Sequence, residues 1–430
     1  MEQAGRPEVS RRWGRGEAGH LLRRAAFAPR PGEVDRVVAD GPRVTVDRLL
    51  GGEKAAPQPA ARNVEFGVRQ LNDREATAGA LLNRIVTTTE PLRERLVLFF
   101  HNHFVSALSK VQESRMMLDQ LRLFRRSGPG PFAELVRKIS RDPAMVRYLD
   151  SERSTRNAPN ENFARELMEL FTMGPGPYTE KDIQEAARAF TGYHLRGGRF
   201  RQSTASFDDG NKTVLGRTGA LTGDQVCDFC SGHPATARFM ARKLARAFVT
   251  DTPDTPLVDA IAALWKAHHG HVGKIMRAML TSPRFYDDRY RFALTRSPAV
   301  LVVAALRTTG VNIAPRNLAG HVQAMGQTLV DAPTVKGYDG GAAWLNPASL
   351  LARRSFLLQT AHQAMRQKKI PMPEKARARD RLLGLAEHIL GKKLEPRVFM
   401  HLEKMARAKR TSPDAHVLAL TLCHPDFQRC

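Results

Sequence analysis

Five polar or charged residues, Glu161, Asn162, Arg165, Glu166 and Glu169, fall on one stripe of a short helical pattern in this 430-residue chain. At about 100° per residue, Phe163, Ala164, Leu167, Met168, Leu170 and Phe171 take the opposite arc. Glu166 lies at the edge of the polar arc, beside Phe163 and Leu170. Burial there raises a carboxylate's pKa toward the range useful for proton transfer. Glu166 is therefore the candidate acid or base, and Asn162, Arg165 and Asp209 complete the candidate catalytic set. Glu161 and Glu169, each four residues from Arg165, read as its ion-pair partners. The run Asp208-Asp209-Gly-Asn-Lys212-Thr213 adds charge from a loop. Lys212 could hold an anion there, and Lys212, Arg188 and Glu169 form the candidate binding set. The glycine spacing is not that of a phosphate-cradling loop. The plain alternative for the whole stripe is a solvated helix face.

His101 and His103 form a His-x-His pair, a common metal-ligand spacing. Helical periodicity through Leu92, Leu96, Phe99 and Phe100 puts His103 within the apolar stripe and His101 about 200° round. The two rings can share an ion only if the helix breaks at Asn102. Asp150, Glu166 or Asp209 could then complete an oxygen and nitrogen site for a divalent metal ion. Otherwise His103 is a core residue satisfied by a hydrogen bond. Cys227-Asp-Phe-Cys230-Ser-Gly-His233 also has ligand-like spacing, with Cys423, His424 and Cys430 as loose partners. Its two thiols, one helical turn apart, read as small apolar residues, with a zinc site or a redox pair as alternatives.

Helical spacing dominates the elements that must carry these groups, so the expected class is mainly α, an irregular multi-helix bundle with long Gly-rich loops. Asn157 or Asn160 can cap the Glu166 helix, and Gly174 suits the left-handed position past its end. Thr179 and Asp182 spell a capping arrangement for a second helix that Gly192 stops. Periodicity disappears between Tyr193 and Gly223, where a short hairpin near 194–216 is expected. A second Gly-rich loop runs from Lys336 to Asn346. Long loops of this kind are disproportionately functional. The expected organisation is a helical domain over 13–360, with two subdomains split near 194–222, and a basic helical extension over 361–430.

The net charge of +24 favours anionic partners. Arginine is nevertheless spread from end to end, and no basic helix interleaves aromatics as nucleic-acid readers do. The densest basic run, Arg366 to Arg381, lies in a Pro-punctuated stretch. Four cysteines in such a length make no disulfide framework. No apolar run approaches the roughly 20 residues of a membrane helix. Ser10-Arg11-Arg12-Trp13 resembles a twin-arginine signal, but no apolar stretch follows, so a cytoplasmic protein is expected.

Several segments together resemble the bacterial domain-of-unknown-function family 1800. They are His20-Leu-Leu-Arg-Arg-Ala-Ala-Phe27, Phe100-His-Asn-His-Phe-Val-Ser106, Asn160-Glu-Asn-Phe-Ala-Arg-Glu-Leu-Met-Glu-Leu170, Ala187-Arg-Ala-Phe-Thr-Gly192 and His233-Pro-Ala-Thr-Ala-Arg238. Lys336-Gly337 and Trp344-Leu345 follow in the same order. The resemblance implies a largely helical fold and, in many relatives, export; it implies no catalytic assignment. Tyr193 and Tyr338 stand where tryptophan is expected from it. The leading functional expectation is a polar cleft built from the Glu161–Glu169 helix, the two histidines and the Asp208–Lys212 loop. It would hydrolyse an anionic or polyhydroxylated polymer such as a glycan. The rivals are a non-catalytic scaffold whose charged ladder only locks helices together, and a basic binder of nucleic acid or another anionic surface.

Overall fold

The computed structural model describes residues 13–51, 73–367, 378–407 and 413–430. The Ser10–Arg12 motif, the Lys54–Asn63 loop and residues 368–377 of the basic run lie outside them. The chain is mainly α, with two small antiparallel hairpins.

Local chemistry explains where several helices start. Asp73, Asp142, Thr179, Thr222, Asp254, Ser297 and Asn346 each accept a backbone N–H of the first turn through their side chains. Thr179 with Asp182 forms the expected reciprocal capping box of the Glu180–Ala189 helix. The two hairpins turn through left-handed pairs, Gly197-Gly198 and Leu215-Gly216. One hairpin joins Tyr193–Arg196 to Arg199–Gln202 and the other Lys212–Val214 to Arg217–Gly219, where the sequence suggested one.

Tertiary packing is organised around the Pro298–Thr309 helix, whose twelve residues are all buried. A helix apolar on every side has no water-facing stripe and must sit inside other elements. The Arg74–Thr87, Pro315–Ala324 and Pro347–Arg366 helices pack against it. Buried apolar side chains from Ala18 to Phe427 form one contiguous core.

The Pro91–His103 helix is clamped to the Ser114–Ser127 helix by a buried two-pronged ion pair. Arg125 Nε and Nη2 donate to Glu94 at 2.6 and 2.9 Å. The chain's last residues return to the interior, where Cys430 and Leu294 exchange backbone hydrogen bonds and Arg296 N donates to Gln428 O. Among the described residues no helix is long and apolar enough to cross a membrane.

Candidate functional site

A cavity of about 530 Å³ opens between the Pro91–His103 and Pro234–Phe248 helices, the Leu294–Ser297 segment and the Lys336–Gly341 loop. Among the described residues its lining carries five cationic side chains, Arg95, Lys243, Arg246, Arg296 and Lys336, against three carboxylates, Glu169, Asp251 and Asp339.

Two of the three carboxylates are already engaged. Asp339 pairs with Lys336 at 2.6 Å. Asp251 Oδ2 accepts from Thr295 N at 3.0 Å and from its hydroxyl at 2.7 Å. Among the described residues the buried guanidinia of this lining have no side-chain carboxylate partner, and Arg296 is hydrogen-bonded to Cys430 instead. Arg95, 7% exposed, gives one N–H to Ala247 O at 3.0 Å and stacks near the Phe27 and Phe248 rings. Arg296, 2% exposed, donates to Phe427 O at 2.7 Å and lies over the Phe427 ring. Both Nε atoms are buried without an acceptor, and neither residue has an ion pair with a side-chain carboxylate among the described residues.

Behind this wall sit Arg23, Arg24 and Arg353, also buried. Burial pulls Arg23 down to about 9 and Arg95 and Arg353 to about 10, with neighbouring arginines reinforcing the shift. Cys430 opposes it at Arg23 and Arg95. A guanidinium keeps its proton under such pressure, so the region holds buried positive charge in excess. The amino end of the fully buried helix points its dipole the same way, since Ser297 and Val300 line the cavity. The N–H groups of Ala299 and Val300 are taken by Gln327 Oε1 and Ser297 Oγ.

His101 and His103 are both buried, at 8% and 3% exposure, and both line this cavity. The helix runs unbroken to His103, so the reading that puts His101 on the far face is corrected by what covers that face. The Thr328–Val330 segment packs there, and Val330 N donates to His101 Nε2 at 3.1 Å. A helix with protein on two sides has no solvent face for periodicity to find. His101 therefore carries its proton on Nδ1, which is buried and unpartnered. Burial lowers its pKa to about 4.

His103 Nε2 donates to Phe171 O at 3.0 Å, leaving Nδ1 to accept from Lys243 Nζ at 2.9 Å. Burial and the Lys243 charge hold this imidazole neutral. Lys243 also donates to Leu170 O at 3.1 Å.

Both carbonyls lie in the last turn of their helical segment, where C=O groups have no partner within the helix. After Asn162–Glu166 the chain forms a π-turn over Leu167–Thr172, closed by Met173 N to Met168 O at 3.0 Å. The 100° spacing fails from Leu167 onward, and the turn brings Glu169 and Leu170 to the cavity while Glu166 stays outside its lining.

The Gly-rich loop is fastened to the opposite wall. Asn102 Oδ1 accepts from Tyr338 N at 2.9 Å and Asn102 Nδ2 donates to Tyr338 O at 3.1 Å. Gly337 has φ +78°, and a Cβ on it would lie 2.6 Å from Asn102 O. Tyr338 hydroxyl accepts from Thr328 N and donates to Thr328 O, at 2.8 and 3.2 Å.

Glu169, His101 and His103 are thus the candidates that meet at the cavity; the others do not reach it. Asn162 is exposed and Glu166 half-buried. Arg165 pairs with Glu161 at 2.9 Å and with Glu180 on the outer surface. Arg188 is saturated by Asp208 at 2.7 Å, Glu185 at 3.0 Å and Asn211 O at 3.0 Å. Lys212 is fully buried and donates to Asp208 O and Gly210 O at 2.6 and 2.8 Å, bracing its own loop, while Asp209 is exposed.

Asp150 pairs with Lys110 at 2.6 Å. Among the described residues no group of three or more His, Cys, Asp or Glu side chains is placed to hold a metal ion. His101, His103 and Asp150 therefore do not assemble as a ligand set. Cys227 and Cys230 are buried, and burial drives the Cys230 thiol up to about 12. His233 caps the following helix through Ala235 N at 3.2 Å.

Arg95, Lys243, Arg246 and Arg296, which sequence reasoning missed, come from segments far apart in the chain. A partial signal existed. Phe100-His-Asn-His-Phe, Lys336-Gly337 and Trp344-Leu345, all part of the family resemblance, contribute residues to the lining.

The family described as Protein of unknown function (DUF1800) matches residues 20–429. The chain belongs to this family. No curated protein and no solved structure matches it.

Proposed function

We propose that the cavity binds a small anion, a carboxylate- or phosphate-bearing molecule or the charged end group of an anionic glycan. One observation carries this reading: Arg95 and Arg296, both buried, line a common cavity, and among the described residues neither has an ion pair with a side-chain carboxylate. Buried charge without a counter-charge is costly, and a bound anion removes that cost. Planar guanidinium forks suit carboxylate and phosphate oxygens. Arg246 and Lys336, both exposed, stand at the rim and add attraction on approach. A volume of about 530 Å³ suits a small molecule or a chain end, the anionic half of the polymer substrate expected from the sequence. Glu169 is the carboxylate available beside it for further chemistry.

The test is thermal unfolding in phosphate against chloride at matched ionic strength. A ligand that binds only the folded state at 100 times its Kd stabilises by about 2.7 kcal/mol. Phosphate should raise the midpoint in a saturable way that chloride does not reproduce. Equal effects of the two salts reject the reading.

A further inference from the structure

We propose that Lys243 is a nucleophilic amine that condenses with the carbonyl group of an anionic oxo compound held in this cavity. The proposal rests on the anionic reading above and adds a covalent step to it.

The amine is placed for that role. Lys243 Nζ has two acceptors, His103 Nδ1 at 2.9 Å and Leu170 O at 3.1 Å, and no carboxylate ion pair among the described residues. A neutral amine has two N–H groups, which these two acceptors satisfy, and its lone pair is then left over. An ammonium would instead carry a third N–H. Neither acceptor can swing away, because His103 is pinned through Nε2 to Phe171 O and Leu170 O is displayed by the π-turn. The Phe239 ring lies 4.9 Å from Nζ and Leu170 beside it, giving an apolar flank. Burial, then Arg246 and Lys336, pull the lysine down to about 8, so an appreciable neutral fraction exists near neutral pH. Lysines desolvated beside other cations are the ones that form Schiff bases.

The step balances without an oxidant or reductant. The nitrogen lone pair attacks the carbonyl carbon and forms a C–N bond. The carbonyl oxygen takes up the two protons released by nitrogen and departs as water, leaving the C=N bond. Arg95 and Arg296, on the same cavity, would hold the carboxylate or phosphate of that compound and orient its carbonyl.

Glyoxylate, an aldehyde carrying a carboxylate, is the probe, with cyanoborohydride to reduce the imine to a stable secondary amine and peptide mass mapping to locate it. The exposed Lys266 serves as internal reference. Lys243 should be modified at least about tenfold faster than Lys266 near pH 7, because burial lowers its pKa and the cavity holds the probe's carboxylate beside it, and phosphate should slow it selectively. Labelling of Lys243 no faster than Lys266 overturns the proposal. If phosphate still raises the unfolding midpoint of the same preparation, the anion site survives and the nucleophile alone falls. Fast labelling that phosphate fails to slow, with no phosphate effect on unfolding, overturns the anionic part. The Lys243→Arg variant, checked for native circular dichroism, should lose the fast-labelled site.

Discussion

Lys243 Nζ donates to His103 Nδ1 across 2.9 Å, joining two helices whose sequences lie 140 residues apart. The ring that accepts is enclosed by Phe99, Phe100, Phe104, Phe132 and Phe171. Phenylalanine fits such a cage but can neither accept from Lys243 nor donate to Phe171 O. His103→Phe should therefore lower stability by on the order of 2 kcal/mol, the cost of stranding buried polar groups, read from urea unfolding. Unchanged stability would mean that apolar filling compensates and that the pair contributes nothing to the fold.

Arg95→Met and Arg296→Met should abolish the phosphate-dependent rise in unfolding midpoint while leaving the chloride baseline unchanged or higher. Methionine keeps an apolar stem in place and removes a buried charge that has no side-chain carboxylate partner among the described residues. A variant that keeps the full phosphate response would take its arginine out of the site.

The Glu94–Arg125 clamp behaves oppositely, because it is paired. Glu94→Ala takes from the buried Arg125 guanidinium the carboxylate it is paired with, and about 3–5 kcal/mol of stability should be lost. Denaturant titration measures this directly; a loss below about 1 kcal/mol, as for surface pairs, would contradict the burial of the pair.

Acid should destabilise the protein through His101. The unfolded imidazole titrates near 6.5 and the buried one near 4. Between those values the unfolded chain binds a proton that the folded chain refuses, so the stability present above pH 6.5 is lost as pH falls toward 4. The shift corresponds to about 3 kcal/mol. His103 acts in the same direction, while Asp142, raised to about 7 by burial, acts in the opposite one. Comparison with His101→Gln isolates the His101 share. The variant should show a flatter acid limb between pH 6.5 and 4, and parallel limbs would show that His101 is not held neutral.

Glu166 is held above the ordinary carboxylate range by burial and then by Glu169, with Arg165 opposing. Folding therefore makes its ionised form less favourable than it is in the unfolded chain. Glu166→Gln should keep or raise stability at pH 7 and leave the phosphate response intact. Loss of that response would bring Glu166 into the cavity's function.

What could be read from the sequence was local. The Thr179–Asp182 box and the turn at Gly174, with φ +77°, depend on neighbours a few residues away, and both are present. The Glu166 stripe was legible only as far as Leu167, because nothing in the letters marks the π-turn that carries Glu169 and Leu170 to the cavity. Arg95 and Arg296 were hidden by abundance. In a chain with arginine throughout, type alone does not separate a solvated guanidinium from one that tertiary packing buries. His101 illustrates the same limit, since the Thr328–Val330 cover that buries it is more than 220 residues away.

Anomalous diffraction from crystals grown in selenate, a phosphate-like anion with its own scattering signal, tests the central claim most directly. A selenium peak should appear inside the cavity, within hydrogen-bonding reach of Arg95 or Arg296. Selenate peaks confined to the outer surface, with ordered water alone beside those two guanidinia, would contradict it.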